Sequence, residues 1–273
     1  MGVLPGELKR GAGKVVAVIP ARMGSSRFPG KPLAPLLGRT MVEHVARRAA
    51  MCELLEAVYV ATCDEEIRAA VESFGGNVVM TSGAHERASD RVAEAAGHFD
   101  AEVVVMIQGD EPLVTPRMIE AAVAPLLEDP NVSCVNLARR ITSRGEYLDR
   151  NTIKVVSNAR GDALYFSRAP IPEGAFARGA AGTPVFKQVC VIPFRRDFLR
   201  EFARLPQTPL ERAESVDMLR AVEHGRPVRL VEIEEETHAV DTPEDLRLVE
   251  AMLRDDPLVR LYDEAGVNFG RRV

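Results

Sequence analysis

The stretch "KVVAVIPARMGSSRFPGKPL", residues 14–33, decides the fold. Val15–Ile19 is an unbroken apolar run rich in β-branched residues, the pattern of a strand buried on both faces. The chain then turns into a loop that carries Arg22, Arg27 and Lys31 among Gly24, Ser25, Ser26, Pro29 and Gly30. Glycine and serine let a backbone approach a ligand closely and turn its amides inward. Pro29 and Pro32 limit the loop's freedom, so less entropy is lost when a ligand is held. Cations and exposed amides at a strand end suit a polyphosphate. The loop is not a Walker A motif, because five residues separate Gly24 from Gly30 and Pro32 follows Lys31. It also lacks GxGxxG, which disfavours a dinucleotide site and with it an oxidoreductase.

Strand and helix signals alternate outward from this stretch. Val58–Thr62, Val78–Met80, Val103–Gln108 and Val132–Leu137 read as strands. Thr40 with Glu43 reads as a capping box that opens a helix, and Asp64 as the cap of a helix ending at Gly75-Gly76. A helix is expected around Ser89–Gly97, and Thr115-Pro116 opens another with proline at its first position. Such alternation predicts an α/β fold with a mainly parallel sheet and helices on both faces. Ligands of such sheets bind at the carboxyl ends of the strands, where the opening loop lies.

The texture changes from Ile153. "IKVVSNARGDALYFSR", residues 153–168, is two strand-like runs around a turn, and predicts a hairpin. Lys187–Phe194 reads as one strand, Leu210–Glu223 as one helix stopped by Gly225, and Val228–Ile233 as a strand. Thr242-Pro243-Glu244-Asp245 caps the last expected helix. The organisation predicted is a flexible leader over residues 1–13 and a single domain over 14–254. That domain carries an inserted lobe at about 150–225, and a tail over 255–273 bears no usable motif.

A chain of 273 residues, 46% hydrophobic, is long enough for a full core. Its net charge of −5 supplies no general field for nucleic acid or an anionic membrane, so any anion site is local. No apolar run is long enough to span a bilayer, and Met1–Gly13 lacks the apolar core of a signal peptide, which predicts a cytoplasmic protein. Cys52, Cys63, Cys134 and Cys190 are scattered without CxxC spacing, as buried, inert thiols would be.

Two carboxylates complete the pattern. "QGDEP" places Asp110 directly after a buried strand, and "VDTPEDL" places Asp241 at a second strand end before a helix cap. A carboxylate in such a place needs a neutralising partner. Beside a polyphosphate that partner is Mg²⁺, which takes one or two protein carboxylates together with phosphate oxygens.

In order along the chain, "IPARMGSSRFPGKPL", "QGDEP", "ALYFSRAPIP" and "VDTPEDL" resemble the cytidylyltransferases that make CMP-3-deoxy-D-manno-octulosonate, CMP-Kdo. The resemblance runs from about Val15 to Leu253. It implies a nucleotidyltransferase (Rossmann-like) fold, a homodimer, CTP and Mg²⁺, and a place in lipopolysaccharide biosynthesis. It also implies attack of the sugar's anomeric hydroxyl on the α-phosphorus of CTP. By position, Arg22, Ser25 and Lys31 would bind the triphosphate, with Ala21 and Arg27 beside them, and Asp110 and Asp241 would hold the metal. "HERASDR", residues 85–91, matches a nucleotide-pocket segment and brings in Ser89 and Arg91. Gln108, Lys154, Arg168, Gln188 and Asp217 fall at acceptor positions.

The acceptor lobe departs from the family pattern. Gln188 and Ile192 stand for His and Tyr, Asp217 and Met218 for Glu and Gln, and Arg87-Ala88-Ser89 for Ser-Gly-Thr. The alternatives to Kdo are therefore another ulosonic acid or a phosphonate as acceptor. A nucleotide-binding regulator without turnover is the reading from another class, against which the retained Asp110 and Asp241 argue.

Overall fold

The structure, a computed structural model, describes residues 14–24, 28–176, 184–264 and 266–270. The expected leader over residues 1–13 lies outside them, as do Ser25 and Arg27. The first half runs β1 (Val15–Pro20), β2 (Pro35–Leu36), β3 (Arg39–Thr40), α1 (Met41–Ala50), β4 (Ala57–Thr62), α2 (Glu65–Ser73), β5 (Asn77–Met80), α3 (Ala88–Ala95), β6 (Val103–Ile107) and α4 (Pro116–Glu128). The second half runs β7 (Val135–Arg140), α5 (Arg144–Leu148), β8 (Lys154–Ser157), β9 (Ala163–Ser167), β10 (Phe186–Val189), β11 (Val191–Arg195), α6 (Arg196–Arg204), α7 (Pro209–Glu214), α8 (Met218–Glu223), β12 (Arg229–Ile233), α9 (Pro243–Arg254) and α10 (Pro257–Glu264).

The central sheet has the order β11-β6-β1-β4-β5. β1 pairs in parallel with β4 and β6, β4 with β5, and only β11 runs antiparallel, against β6. Its strands sort their side chains by parity. Val15, Ala17 and Ile19 join one core with α1, α2 and α4 residues such as Val45, Ile67 and Met118. Val16 and Val18 join another with Val92 of α3 and Phe202 of α6. Both faces are thus covered, as the continuous apolar strands require. The chain leaves β1 toward β4 on one side and reaches β6 on the other, so a switch point lies between β1 and β6. Among the described residues, no helix is long and apolar enough to cross a membrane.

The rest of the chain builds a second sheet, β12-β7-β10-β8-β9. The expected hairpin is β8–β9. The strand runs at Val132–Leu137 and Val228–Ile233 belong here, paired in parallel as β7 and β12, not to the central sheet. The run expected as one strand over Lys187–Phe194 is two, divided at Cys190. β10 pairs with β7 and β8, whereas β11 crosses to β6. Gln108 N donates to Cys190 O (3.1 Å) and Cys190 N to Glu111 Oε1 (3.3 Å), so the crossing point is tied to the end of β6. The helix expected over Leu210–Glu223 is also two, α7 and α8, because Ser215 adopts a left-handed φ of 54°.

Local signals behave unevenly. Thr115 caps α4 by accepting from Met118 N, and Thr242 with Asp245 forms the full capping box of α9. Thr40 accepts from Glu43 N, but the Glu43 carboxylate turns to Arg39 and Arg47, leaving half a box. Asp64 precedes α2 without a side-chain cap and instead accepts from Met23 N (2.8 Å). The tail is not featureless, since α10 packs Tyr262 against α1. Beyond it Phe269 O accepts from Val58 N (3.0 Å), and a Cβ on Gly270 would stand 2.1 Å from Glu56 O. Cys52 and Cys134 are buried, but Cys63 and Cys190 are only half-buried.

Candidate active site

β1 ends at Pro20, and Ala21, buried, continues its ladder by donating to Ala61 O (2.9 Å). Arg22 is exposed. Two bonds shape the loop beyond it. Met23 N is held by Asp64, and Gly30, at a φ of 72°, donates from its N to Met23 O (3.2 Å). Only glycine adopts that backbone without strain. The closed loop delivers Lys31 at the head of a short 3₁₀ turn, Lys31–Leu33.

Lys31 is the centre of the site. Its Nζ donates to Asp110 Oδ2 (2.6 Å), Val240 O (2.8 Å) and Asp241 Oδ1 (3.4 Å). Burial alone would lower its pKa, yet the charges and hydrogen bonds of Asp110, then Asp241, raise it above the ordinary lysine value. Asp110 follows the end of β6, and Asp241 is set by the α9 capping box, where Asp245 Oδ2 accepts from Asp241 N (3.0 Å). Val240 N donates to Asp110 O (2.9 Å) and joins the two segments by backbone. Asp241 does not stand at a strand end as expected, since β12 stops at Ile233 and Asp241 directly precedes the α9 cap. Even so, residues 79 and 210 positions from Lys31 converge on one ammonium.

Two carboxylates that already share a cation suit Mg²⁺. That ion prefers one or two carboxylates and fills its remaining positions with phosphate oxygens and water. Among the described residues there is no cluster of three or more His, Cys, Asp or Glu of the kind a self-sufficient metal cage needs. The donor set fits a metal that arrives with phosphate.

A cavity of about 480 Å³ opens beside this centre, lined by Gln108, Asp110, Arg168, Lys187, Gln188 and Asp217 among others. Gln188 Nε2 donates to Asn136 Oδ1 (2.7 Å). Arg168 Nε donates to Glu214 O (2.7 Å). Lys187, one of the cations that with Arg87, Lys154, Arg168 and Arg195 could pair with an acidic acceptor, lines the cavity and donates to Glu146 Oε1 (2.6 Å) and Thr237 O (3.0 Å). Glu111, next to Asp110 in "QGDEP", is assigned no site role from the sequence. Burial, then the Asp110 charge, pushes its carboxyl up to about 7.

Three expected site residues are placed differently. Lys154 does not line the cavity; it is fully buried, and its ammonium donates to Asp149 O (2.7 Å), Thr152 O (2.6 Å) and Arg168 O (2.8 Å). It stitches the cavity wall together from behind. Arg91 is buried and donates to Thr81 Oγ1 and Cys63 Sγ. Ser89 is fully buried, with its hydroxyl on Asp217 Oδ2 (2.7 Å). Neither Ser89 nor Arg91 presents its side chain as an open nucleotide ligand. A lysine or arginine in a motif announces a cation, but the direction of its long stem is a tertiary matter.

A cytidylyltransferase family model matches residues 16–262. The 3-deoxy-manno-octulosonate cytidylyltransferase of Syntrophotalea carbinolica is 48% identical over 246 residues, covering 88% of this chain and 98% of the relative. The chain belongs to the 3-deoxy-manno-octulosonate cytidylyltransferase family. The enzyme of that name from Geobacter metallireducens is 46% identical over 252 residues, with coverage of 88% and 98%. Among solved structures, a CMP:2-keto-3-deoxy-manno-octonic acid synthetase complexed with CTP superposes with a TM-score of 0.81. It is 40% identical and is covered over 98% of its length by 88% of this chain. A 4-diphosphocytidyl-2C-methyl-D-erythritol synthase from Anaerococcus prevotii, 15% identical with a TM-score of 0.60, shares the fold. It covers 88% of this chain, which covers 96% of it. Membership in this cytidylyltransferase family accounts for the order in which the loop, "QGDEP" and "VDTPEDL" occur along the chain.

Proposed function

We propose that this chain couples CTP to 3-deoxy-D-manno-octulosonate, giving CMP-Kdo and pyrophosphate, and works in the cytoplasm as a homodimer on the path to lipopolysaccharide. The anomeric hydroxyl oxygen forms a bond to the α-phosphorus, and the bond from that phosphorus to the bridging oxygen of the β-phosphate breaks. The hydroxyl proton is released. The observation that carries this reading is the convergence of Asp110 and Asp241, both lining the cavity, on the Lys31 ammonium.

Nucleotidyl transfer rests on positioning and charge stabilisation and needs no covalent nucleophile. Lys31 supplies a fixed cation for the phosphates, and exposed Arg22 a second beside it. Asp110 and Asp241 would hold Mg²⁺, which when bound neutralises charge developing on the phosphate oxygens. Gln108 and Arg168, which both line the cavity, are the residues placed to meet an acidic sugar.

Pyrophosphate release from CTP, Mg²⁺ and Kdo tests the reading. Release is expected, with loss on adding EDTA and recovery with excess Mg²⁺. Asp110→Asn is expected to lower kcat by about 10²-fold or more. Release with another sugar acid or a phosphonate but not with Kdo would move the acceptor, and none with any would leave the regulator.

A further inference from the structure

The "HERASDR" segment, residues 85–91, in which Ser89 and Arg91 are buried, reaches the acceptor side of the cavity. Ser89 sits in the first turn of α3, which packs on the central sheet. Its hydroxyl and its backbone N both donate to Asp217 Oδ2, at 2.7 and 3.2 Å. Two residues earlier, Arg87 Nη1 donates to Ser215 Oγ (2.8 Å) and stands 3.9 Å from Asp217 Oδ1. Ser215 and Asp217 both line the cavity.

The other side of this wall is anchored as well. The carboxylate of Glu214 accepts from Ser167 Oγ (2.8 Å) and Arg168 N (2.8 Å), which belong to the hairpin and its exit. The left-handed turn at Ser215 lets Glu214 face the hairpin while Asp217, three residues on, faces α3. Segment 214–217 is thereby strung between α3 and the β8–β9 hairpin. Among the described residues, Asp217 Oδ2 takes both Ser89 bonds and no donor lies within hydrogen-bond reach of Oδ1. A carboxylate with one oxygen fixed from behind presents the other in a set direction.

Resting on the proposed coupling of CTP to Kdo, we propose that Ser89 is a positioning residue for the acceptor. It acts through Asp217, with Arg87 supporting the same wall through Ser215. A serine in the segment whose motif suggested nucleotide binding thus sets the cavity wall that orients a sugar hydroxyl.

The test varies CTP and Kdo independently in steady-state pyrophosphate release by wild type, Ser89→Ala, Ser89→Thr and Arg87→Gln, with thermal melting to confirm folding. Ser89→Ala is expected to raise KM for Kdo about tenfold, within the range of known coupling effects, while KM for CTP stays within about twofold. Ser89→Thr, which keeps the hydroxyl, restores most of the acceptor affinity. Asp217→Ala and Ser89→Ala combined cost no more than Asp217→Ala alone. Should Ser89→Ala not fold, Arg87→Gln carries the test and is expected to raise KM for Kdo selectively. A rise in KM for CTP with KM for Kdo unchanged overturns the inference, as does no change in either. No turnover by wild type with Kdo defeats the underlying reading instead, and so separates the two failures.

Discussion

Lys31 Nζ and Asp110 Oδ2 lie 2.6 Å apart although 79 residues separate them, and the same ammonium reaches Asp241 at 3.4 Å. The ammonium lies between the two carboxylates proposed to hold a metal, so the cation proposed for the phosphates and those carboxylates form one electrostatic unit. Each member is partly shielded from solvent, which strengthens their mutual effect relative to a surface pair.

Removing that cation should harm chemistry more than folding. Lys31→Ala is expected to lower kcat/KM for CTP by about 10²–10³-fold, the usual effect of deleting one fixed donor to developing charge. Pyrophosphate release at subsaturating CTP measures it, alongside a melting curve. Turnover near wild type would remove Lys31 from the phosphate role.

His44 makes stability depend on pH. It is fully buried in α1, with Nε2 on Leu36 O (2.8 Å) and Nδ1 on Tyr262 Oη (2.5 Å) of α10. A carbonyl only accepts, so Nε2 carries the proton and Nδ1 accepts from the tyrosine. Burial is the first cause that lowers its pKa below 6.5. The unfolded chain therefore binds the proton more readily, and this histidine's contribution is present above pH 6.5 and lost as pH falls through the depressed folded value. Melting temperature should drop between neutral and mildly acidic pH, and His44→Gln should flatten that slope. An unchanged slope would contradict the assignment.

Arg220 should matter for stability and not for the reaction. It is buried, its Nε and Nη2 donate to the two oxygens of the fully buried Glu211 at 2.9 and 2.7 Å, and Nη1 donates to Asp90 (2.8 Å). Arg220→Ala leaves the buried Glu211 only the more distant Arg87 Nε (3.8 Å) as a cation, and breaking such a pair costs about 3–5 kcal/mol. Urea unfolding measures it, and a loss below about 1 kcal/mol would show that water or a repacked neighbour takes over.

The central strands were legible because burial on both faces forces unbroken apolar runs such as Val15–Ile19 and Val103–Ile107. Asp110 and Asp241 were legible because the first follows a buried strand and the second precedes a helix cap, and Lys31 because it sits in a loop dense in Gly, Ser and Pro. What local pattern does not carry is a choice between sheets. Lys187–Phe194 is one apolar run, yet it changes sheet at Cys190 because Gln108 and Glu111 grip that residue. The break at Ser215 reflects contacts of Glu214, Ser215 and Asp217 with distant elements. Lys154 and Arg91 fall at ligand positions by the resemblance alone, and no local pattern shows that their side chains bond to partners inside the protein.

The most direct measurement is anomalous diffraction from crystals soaked with Mn²⁺ and a non-hydrolysable CTP analogue. The proposed site predicts a metal peak bonded to Asp110 and Asp241, with Lys31 on the triphosphate at the same strand ends. A peak away from both aspartates, or a triphosphate that Lys31 does not reach, would contradict it.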